Sequence, residues 1–385
     1  MTFKFPYLRP VLPQPEKWVP YLKESYDQHY FSNFGPLSHK FETQLASHYL
    51  DATYDATLVA SNTLGMQAVL TALNVRGRYV ILPDFTFPAT LHAVIAAGGK
   101  PLICDVSLET GELDLQSVQT ALGRYKDIAA IIHVRCFGFV QDLLPLKAFC
   151  KTEDISLIID AAAALAKPMD QLFGSEFGEI EVFSLHATKV FAVGEGGLIA
   201  APKALSTSIR STINFGFQSD RSFHDGTNAK MDEFRAAIGL GMLDHVEEIV
   251  THRQHHAALY KSFFQNKGRY RGFDVVDHSS WPCFPVCVDE GDQAKLVKAL
   301  AEHGIEVKIY YRPGLFDGYK GSYPVDVIDV KKSQRLQNTI ICLPIYSEPA
   351  AEFWPEMEIE LENACLLYTS PSPRDRTRSR MPSSA

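Results

Sequence analysis

The chain has 385 residues, 46% of them hydrophobic, and a formal net charge of −8, so it can bury a large core and form more than one domain. No apolar run approaches the roughly 20 residues needed to cross a bilayer, and Met1–Pro10 lacks a charged-then-apolar leader pattern. Basic residues cluster only at the extreme C-terminus, so neither a membrane nor a nucleic acid is an expected partner, and a soluble, cytoplasmic protein is.

Residues 1–30 read as an N-terminal segment, followed by a large α/β unit over 31–248. Short apolar runs alternate with helix-like stretches from about Thr57 to Ala200. The first strand candidate, Leu58–Ala60, runs into Ser61-Asn62-Thr63-Leu64-Gly65. There Ser or Asn can cap a helix, and the exposed N–H groups at its positive end suit a phosphate. Any capped helix carries this pattern. Leu64, Ala68, Ala72 and Leu73 share one face of that helix. The next run, Tyr79–Leu82, leads into Pro83–Thr90. Phe87 in this turn can lie flat against an aromatic ring or simply join the core. Pro101–Cys104 follows, then an amphipathic stretch with Leu115, Val118 and Leu122 in phase, then Ala129–Val134.

The run Leu157–Ile159 ends at Asp160. A carboxylate directly after a buried strand is costly without a cationic partner. A protonated pyridine nitrogen is one such partner; capping of the next helix is an equally good account of Asp160 alone. Glu181–Phe183 and Leu198–Ala200 flank Phe183-Ser184-Leu185-His186-Ala187-Thr188-Lys189-Val190-Phe191 and the turn Gly194-Glu195-Gly196-Gly197. Lys189 lies in an otherwise apolar, uncharged stretch. Desolvation there lowers an amine pKa and suits a Schiff-base nucleophile and general base, although an isolated lysine can also snorkel to the surface. Near-continuous apolar strands alternating with amphipathic helices predict a mostly parallel sheet covered by helices.

Met231–Ile249 reads as a helix continued by Val250–Phe264, linking to a smaller α/β domain over 249–364 with runs at Phe284–Val288, Glu306–Tyr311 and Ile340–Leu343 and a helix at Asp292–His303. The seven cysteines lack CxxC pairing. Cys283 and Cys287 have ligand-like spacing but no second pair or nearby His, so reduced structural thiols and no metal site are expected. From Cys365 the composition turns rich in Ser, Pro and Arg without periodicity. Residues 365–385 resemble a translated sequencing adapter and are read as a non-native tail, the alternative being a genuine disordered basic tail.

Several stretches together resemble the DegT/StrS-type sugar aminotransferases. They are Asn33–Leu37 with Phe41-Glu42, Ser61–Met66, Pro83–Thr90, Phe137-Gly138, Asp160–Ala162, Phe183–Phe191 with Glu195–Gly197, Asn214–Gly216, Gly226–Met231, Tyr310-Tyr311 and Leu343-Pro344. The resemblance implies the fold-type I architecture of pyridoxal 5′-phosphate (PLP) enzymes. It implies that Lys189 bonds PLP covalently and moves the proton between Cα and C4′. By the same resemblance Asp160 pairs with the pyridine nitrogen and Phe87 stacks on the ring. Thr63 and Ser184, with N–H groups near Asn62 to Leu64, hold the phosphate. Asn228 reaches the phosphate of a neighbouring subunit's cofactor, which requires a homodimer with active sites at the interface. Phe34, His186 and Tyr311 are candidate substrate contacts. Many family members carry Gln or His three residues after the Asp, where this chain has Ala163.

The implied reaction moves an amino group from L-glutamate to a nucleotide-linked keto-sugar, by resemblance a dTDP-4-keto-6-deoxyhexose. Two alternatives stay open: a non-catalytic regulatory member of the same fold, and another PLP reaction such as sugar dehydration. Related dehydratases replace the lysine with His, whereas Lys189 is present here.

Overall fold

The computed structural model describes residues 3–139, 143–165, 180–265, 267, 270–273 and 279–369. The apolar runs become strands β1 (Tyr54–Val59), β2 (Tyr79–Pro83), β3 (Lys100–Cys104), β4 (Ile128–Val134), β5 (Ser156–Asp160), β6 (Ile180–Ser184) and β7 (Gly197–Pro202), each covering its predicted run to within a few residues. The short strands β8 (Phe217–Gln218) and β9 (Arg221–Ser222) form a separate ribbon. Further on come β10 (Cys283–Cys287), β11 (Asp326–Val327) and β12 (Ile340–Pro344).

Among the described residues the main sheet has eight strands in the order β1-β7-β6-β5-β4-β2-β3-β11, of which only β7 runs against its neighbours. Side chains alternate between two apolar layers, as the period of two requires. Leu58, Ile81, Ile131, Ile159 and Phe183 face the layer that holds Phe41, Ala121, Cys150 and Leu240. Val59, Val80, Ile132, Ile158 and Val182 face the layer that holds Met66, Val94 and Ile209. Because both faces are covered, the strands need no polar side, which is why they read as continuous apolar runs.

A second core contains β10 and β12, paired antiparallel, with the helices Val246–Gln265, Gln293–Glu302 and Phe353–Thr369. The N-terminal strap joins it through Phe5 and Tyr7. Two sequence expectations are corrected here. The continuous helix from Met231 is instead two helices, Glu233–Leu243 and Val246–Gln265. They part where the His245 N–H bonds the Met242 carbonyl three residues back, a tight turn that ends the first ladder. The Glu306–Tyr311 run meets β12 only through the Lys308–Cys342 bridge and is no strand. Cys365, where the tail was expected to begin, is buried in the last helix, and residues 370–385 lie outside the described residues.

The segment after residue 249 also reaches back to the main sheet. β11 pairs with β3, and helix Lys331–Gln337 points its first N–H groups at Asp105, from Lys332 at 2.9 Å and Ser333 at 2.8 Å. Asp84, directly after β2, accepts from Ser333 Oγ (2.5 Å), Gln337 Nε2 (3.1 Å) and the Phe316 N–H (2.7 Å). Burial raises the Asp84 pKa, and the Ser333 and Phe316 bonds oppose that rise.

The helix Pro36–Tyr49 is anchored by one carboxylate. Glu233, fully buried, accepts from the Leu37 N–H (2.6 Å), the Ser38 N–H (3.0 Å) and Ser38 Oγ (2.5 Å). These are the orphan donors of the first turn, and a negative charge there also suits the helix dipole. Gly35 makes the approach possible, since a Cβ at that position would lie 2.5 Å from Glu233 Cδ. Replacing Glu233 by Ala should strand these buried donors and lower the unfolding free energy by about 3 kcal/mol, read as a shifted denaturant midpoint at unchanged slope.

Candidate active site

The parallel strands β1, β2, β4, β5 and β6 deliver their C-terminal ends to one rim of the sheet, where ligand sites of open α/β folds form. A cavity of about 320 Å³ opens there. Its lining includes Asn62, Thr63, Phe87, Asp160, Ser184, His186, Lys189 and Tyr311, so the fold brings these eight predicted residues together from five separate stretches of chain.

Asp160 is the last residue of β5 and is 5% exposed. Its Oδ2 accepts from Thr90 Oγ1 at 2.8 Å; its Oδ1 accepts from the Ala162 N–H at 3.2 Å and from Asn62 Nδ2 at 3.5 Å. Burial raises its pKa, while these donors and the Lys189 charge work the other way. Lys189 sits in the loop between β6 and β7. Burial lowers its amine pKa, and the Asp160 charge pulls it partly back. The loop is held by backbone bonds: Leu185 N–H to Gly196 O (2.9 Å), Ala187 N–H to Gly194 O (2.7 Å) and Lys189 N–H to His186 O (2.8 Å).

Around this pair the cavity has distinct walls. Phe87 precedes the helix Pro88–Ala96 and leaves 60% of its surface open, an apolar ring with room for a flat partner. Ala162 and Ala163 form a low wall. The Ala163 carbonyl accepts from Ser280 Oγ at 3.0 Å, and Gly138 packs so tightly on it that a Cβ there would come within 2.2 Å. The helix Asn62–Ala72 points its N-terminus at the cavity, capped by Ser61 Oγ, which accepts from the Leu64 N–H at 3.3 Å. His186 Nδ1 accepts from the Thr188 N–H (3.2 Å), which leaves the ring proton on Nε2, 3.5 Å from Glu195 Oε1. Tyr311 packs edge-on against Phe85 and stacks on Phe137.

Three predicted residues do not line the cavity. Leu64 spends its N–H on the Ser61 cap and packs its side chain against the apolar layer behind. Phe34 lies under the Arg210 guanidinium, 5.3 Å from its ring centroid. Asn228 is exposed, paired with Asn214 in a bridge, and accepts from Lys230 Nζ at 2.8 Å. The Asn62 side-chain amide has a further task beyond the predicted backbone one: it donates to Val182 O (2.9 Å) and to Asp160.

The chain matches the DegT/DnrJ/EryC1/StrS aminotransferase family over residues 15–353. It belongs to that family. A dTDP-4-amino-4,6-dideoxy-D-glucose transaminase of Shigella dysenteriae is 27% identical over 354 residues, spanning 89% of this chain and 94% of the relative. The crystal structure of DesI in the presence of its TDP-sugar product superposes with a TM-score of 0.80 at 27% identity, covering 98% of this chain and 96% of that one. NtdA of Bacillus subtilis with bound cofactor PMP shares the fold, with a TM-score of 0.78 at 22% identity over 94% of this chain and 87% of that one.

This member of the DegT/DnrJ/EryC1/StrS family is thus a PLP-dependent aminotransferase of the type I fold. Its residues fit the cofactor. A buried carboxylate facing a cavity suits a protonated ring nitrogen, an open phenyl face suits the ring, and the uncapped Asn62 and Thr63 N–H groups at a helix N-terminus suit a phosphate. Gly197 lets β7 run against that turn, since a Cβ there would lie 2.7 Å from the Asn62 nitrogen.

Sequence reasoning missed part of the lining. Arg135, 2% exposed and 3.1 Å from Glu181 Oε1, ends an apolar run as Asp160 does, so the same signal could have found it. Tyr7, Leu8, Cys283 and Tyr310 arrive from the strap and the second core with no local signature. Loading with PLP followed by borohydride reduction should fix one cofactor on the Lys189 peptide, mapped by mass. Lys189→Ala should abolish turnover and keep the unfolding free energy within about 1 kcal/mol.

Proposed function

We propose that this enzyme transfers an amino group from L-glutamate to a nucleotide-linked keto-sugar, a dTDP-4-keto-6-deoxyhexose, and releases the aminosugar. The observation that carries the reading is the buried Asp160 and the half-buried Lys189 lining one cavity and coupled through their charges. The substrate class is supported by the 27% identity to a transaminase named for dTDP-4-amino-4,6-dideoxy-D-glucose.

PLP supplies the electron sink for the carbanion left when the substrate α-carbon loses its proton. Lys189 would hold the cofactor and would serve as the base that takes the proton from the substrate carbon and the acid that gives it back. Its lowered pKa keeps more of the amine as free base near neutrality, and acid–base work of this kind contributes roughly 10²- to 10⁴-fold. Asp160, buried at the cavity wall, would pair with the ring nitrogen and keep it protonated. Phe87 covers one ring face. Thr63 and Ser184 with the Asn62 and Thr63 N–H groups take the phosphate. The family resemblance gives Asn228 a role toward the phosphate in a neighbouring subunit of a homodimer, and its exposed position outside its own chain's cavity is compatible with that. His186 and Tyr311, which line the cavity, contact substrate; Phe34, outside the cavity of its own chain, is not assigned that role.

The test is a substrate screen. Glutamate alone should bleach the absorption band of the bound cofactor. Glutamate with a panel of nucleotide-linked keto-sugars should yield one aminated mass, with the dTDP-4-keto-6-deoxyhexose preferred. A band that responds to no amino donor, or amination of keto acids only, would overturn the reading. Light scattering should give two chains per particle, and Asn228→Asp should weaken cofactor retention by repelling the phosphate.

A further inference from the structure

We propose that Thr90 is a positioning residue for Asp160, and that it works as the middle of a hydroxyl chain running from Thr86 through Thr90 to the carboxylate. The inference rests on the reading that Asp160 faces the cofactor's ring nitrogen. Thr90 Oγ1 lies 2.8 Å from Asp160 Oδ2, the shortest of the contacts to that carboxylate, and 3.0 Å from Thr86 Oγ1. Thr86 and Thr90 are 2% and 1% exposed, so both hydroxyls are largely shielded from bulk water.

A hydroxyl has one proton to give. Thr90 gives it to the ionised Asp160, which can only accept. The remaining contact then has a fixed direction: Thr86 donates and Thr90 accepts. Asn62 and the Ala162 N–H hold the other carboxylate oxygen, so each oxygen is tied from its own side and the carboxylate plane is set. Donors to the charged form counter the burial that favours the protonated acid.

The placement couples two parts of the site. Thr86, Phe87 and Thr90 belong to the turn and first helical residues after β2, and the Phe87 backbone carbonyl accepts from the Thr90 N–H at 3.2 Å. One turn therefore carries both the ring platform and the donor that orients the carboxylate. Asp84, two residues before Thr86, anchors this turn to helix Lys331–Gln337, which limits its freedom to shift.

Thr90→Val keeps the shape and removes the hydroxyl; Thr90→Ser keeps the hydroxyl and removes a methyl. In holoenzyme carrying ¹⁵N-labelled PLP, Thr90→Val should move the ring-nitrogen signal toward the unprotonated position. It should lower kcat by about ten- to a hundred-fold with little change in KM, and Thr90→Ser should restore most of that loss. If Thr90 matters only for packing, the order reverses: Val behaves as the parent and Ser is impaired, which overturns the proposal. Asp160→Asn separates the two layers. An unchanged nitrogen signal in that variant overturns the placement of Asp160 and this inference with it. A changed signal there together with an unchanged Thr90→Val overturns only the role of Thr90.

Discussion

A carboxylate held out of water, facing one cavity with a half-buried amine, is the constraint around which this enzyme is built. Burial works against both charges: it raises the pKa of Asp160 and lowers that of Lys189. Each also moderates the other across the cavity. The fold keeps Asp160 ionisable by surrounding it with donors fixed on different elements: Thr90 after β2, Asn62 after β1 and the Ala162 N–H after β5. Such a site exists only when neighbouring strands end at the same level, as they do along one rim of a parallel sheet.

The reversed strand β7 has a purpose in the same scheme. An antiparallel neighbour can be reached by a short connection, whereas a parallel one needs a long crossover. β6 and β7 therefore enclose the Lys189 loop between them, tied at Leu185–Gly196 and Ala187–Gly194. The lysine is held at both ends by a ladder rather than left on a free loop. The Gly197 approach places the same strand against the phosphate turn, so one hairpin positions both the amine and the edge of the anion site.

The remaining walls come from far along the chain. Tyr7 and Leu8 reach the cavity because the strap is fixed to the second core, with Phe5 bridged to Ile305 and the Tyr7 N–H bonded to Glu306 at 2.8 Å. Tyr310, Tyr311 and Cys283 arrive with that same core. Asp84 and Asp105 tie helix Lys331–Gln337 to the main sheet. The second core is therefore fastened to the strand ends that carry Phe87 and Thr90, and the two halves of the cavity are held in register by buried carboxylates.

Legible in the chain alone were the main-sheet strands β1 to β7, two of the helices between them, and the Asp160 and Lys189 positions, but not the edge strand β11. Each rests on a local pattern: an apolar run long enough for a buried strand, a cap after it, a charge where apolar residues surround it. The pattern failed where only backbone bonding decides, as at the turn that splits the helices at Asp244-His245 and at the Glu306–Tyr311 run, which has few partners. Tertiary contact alone assigned the Asn62 side chain to the carboxylate and brought Tyr7 within reach of Lys189's cavity. Hydrogen-bond partners distant in sequence leave no periodic trace, because a donor's residue type says what it can bond and only the folded path says what it meets.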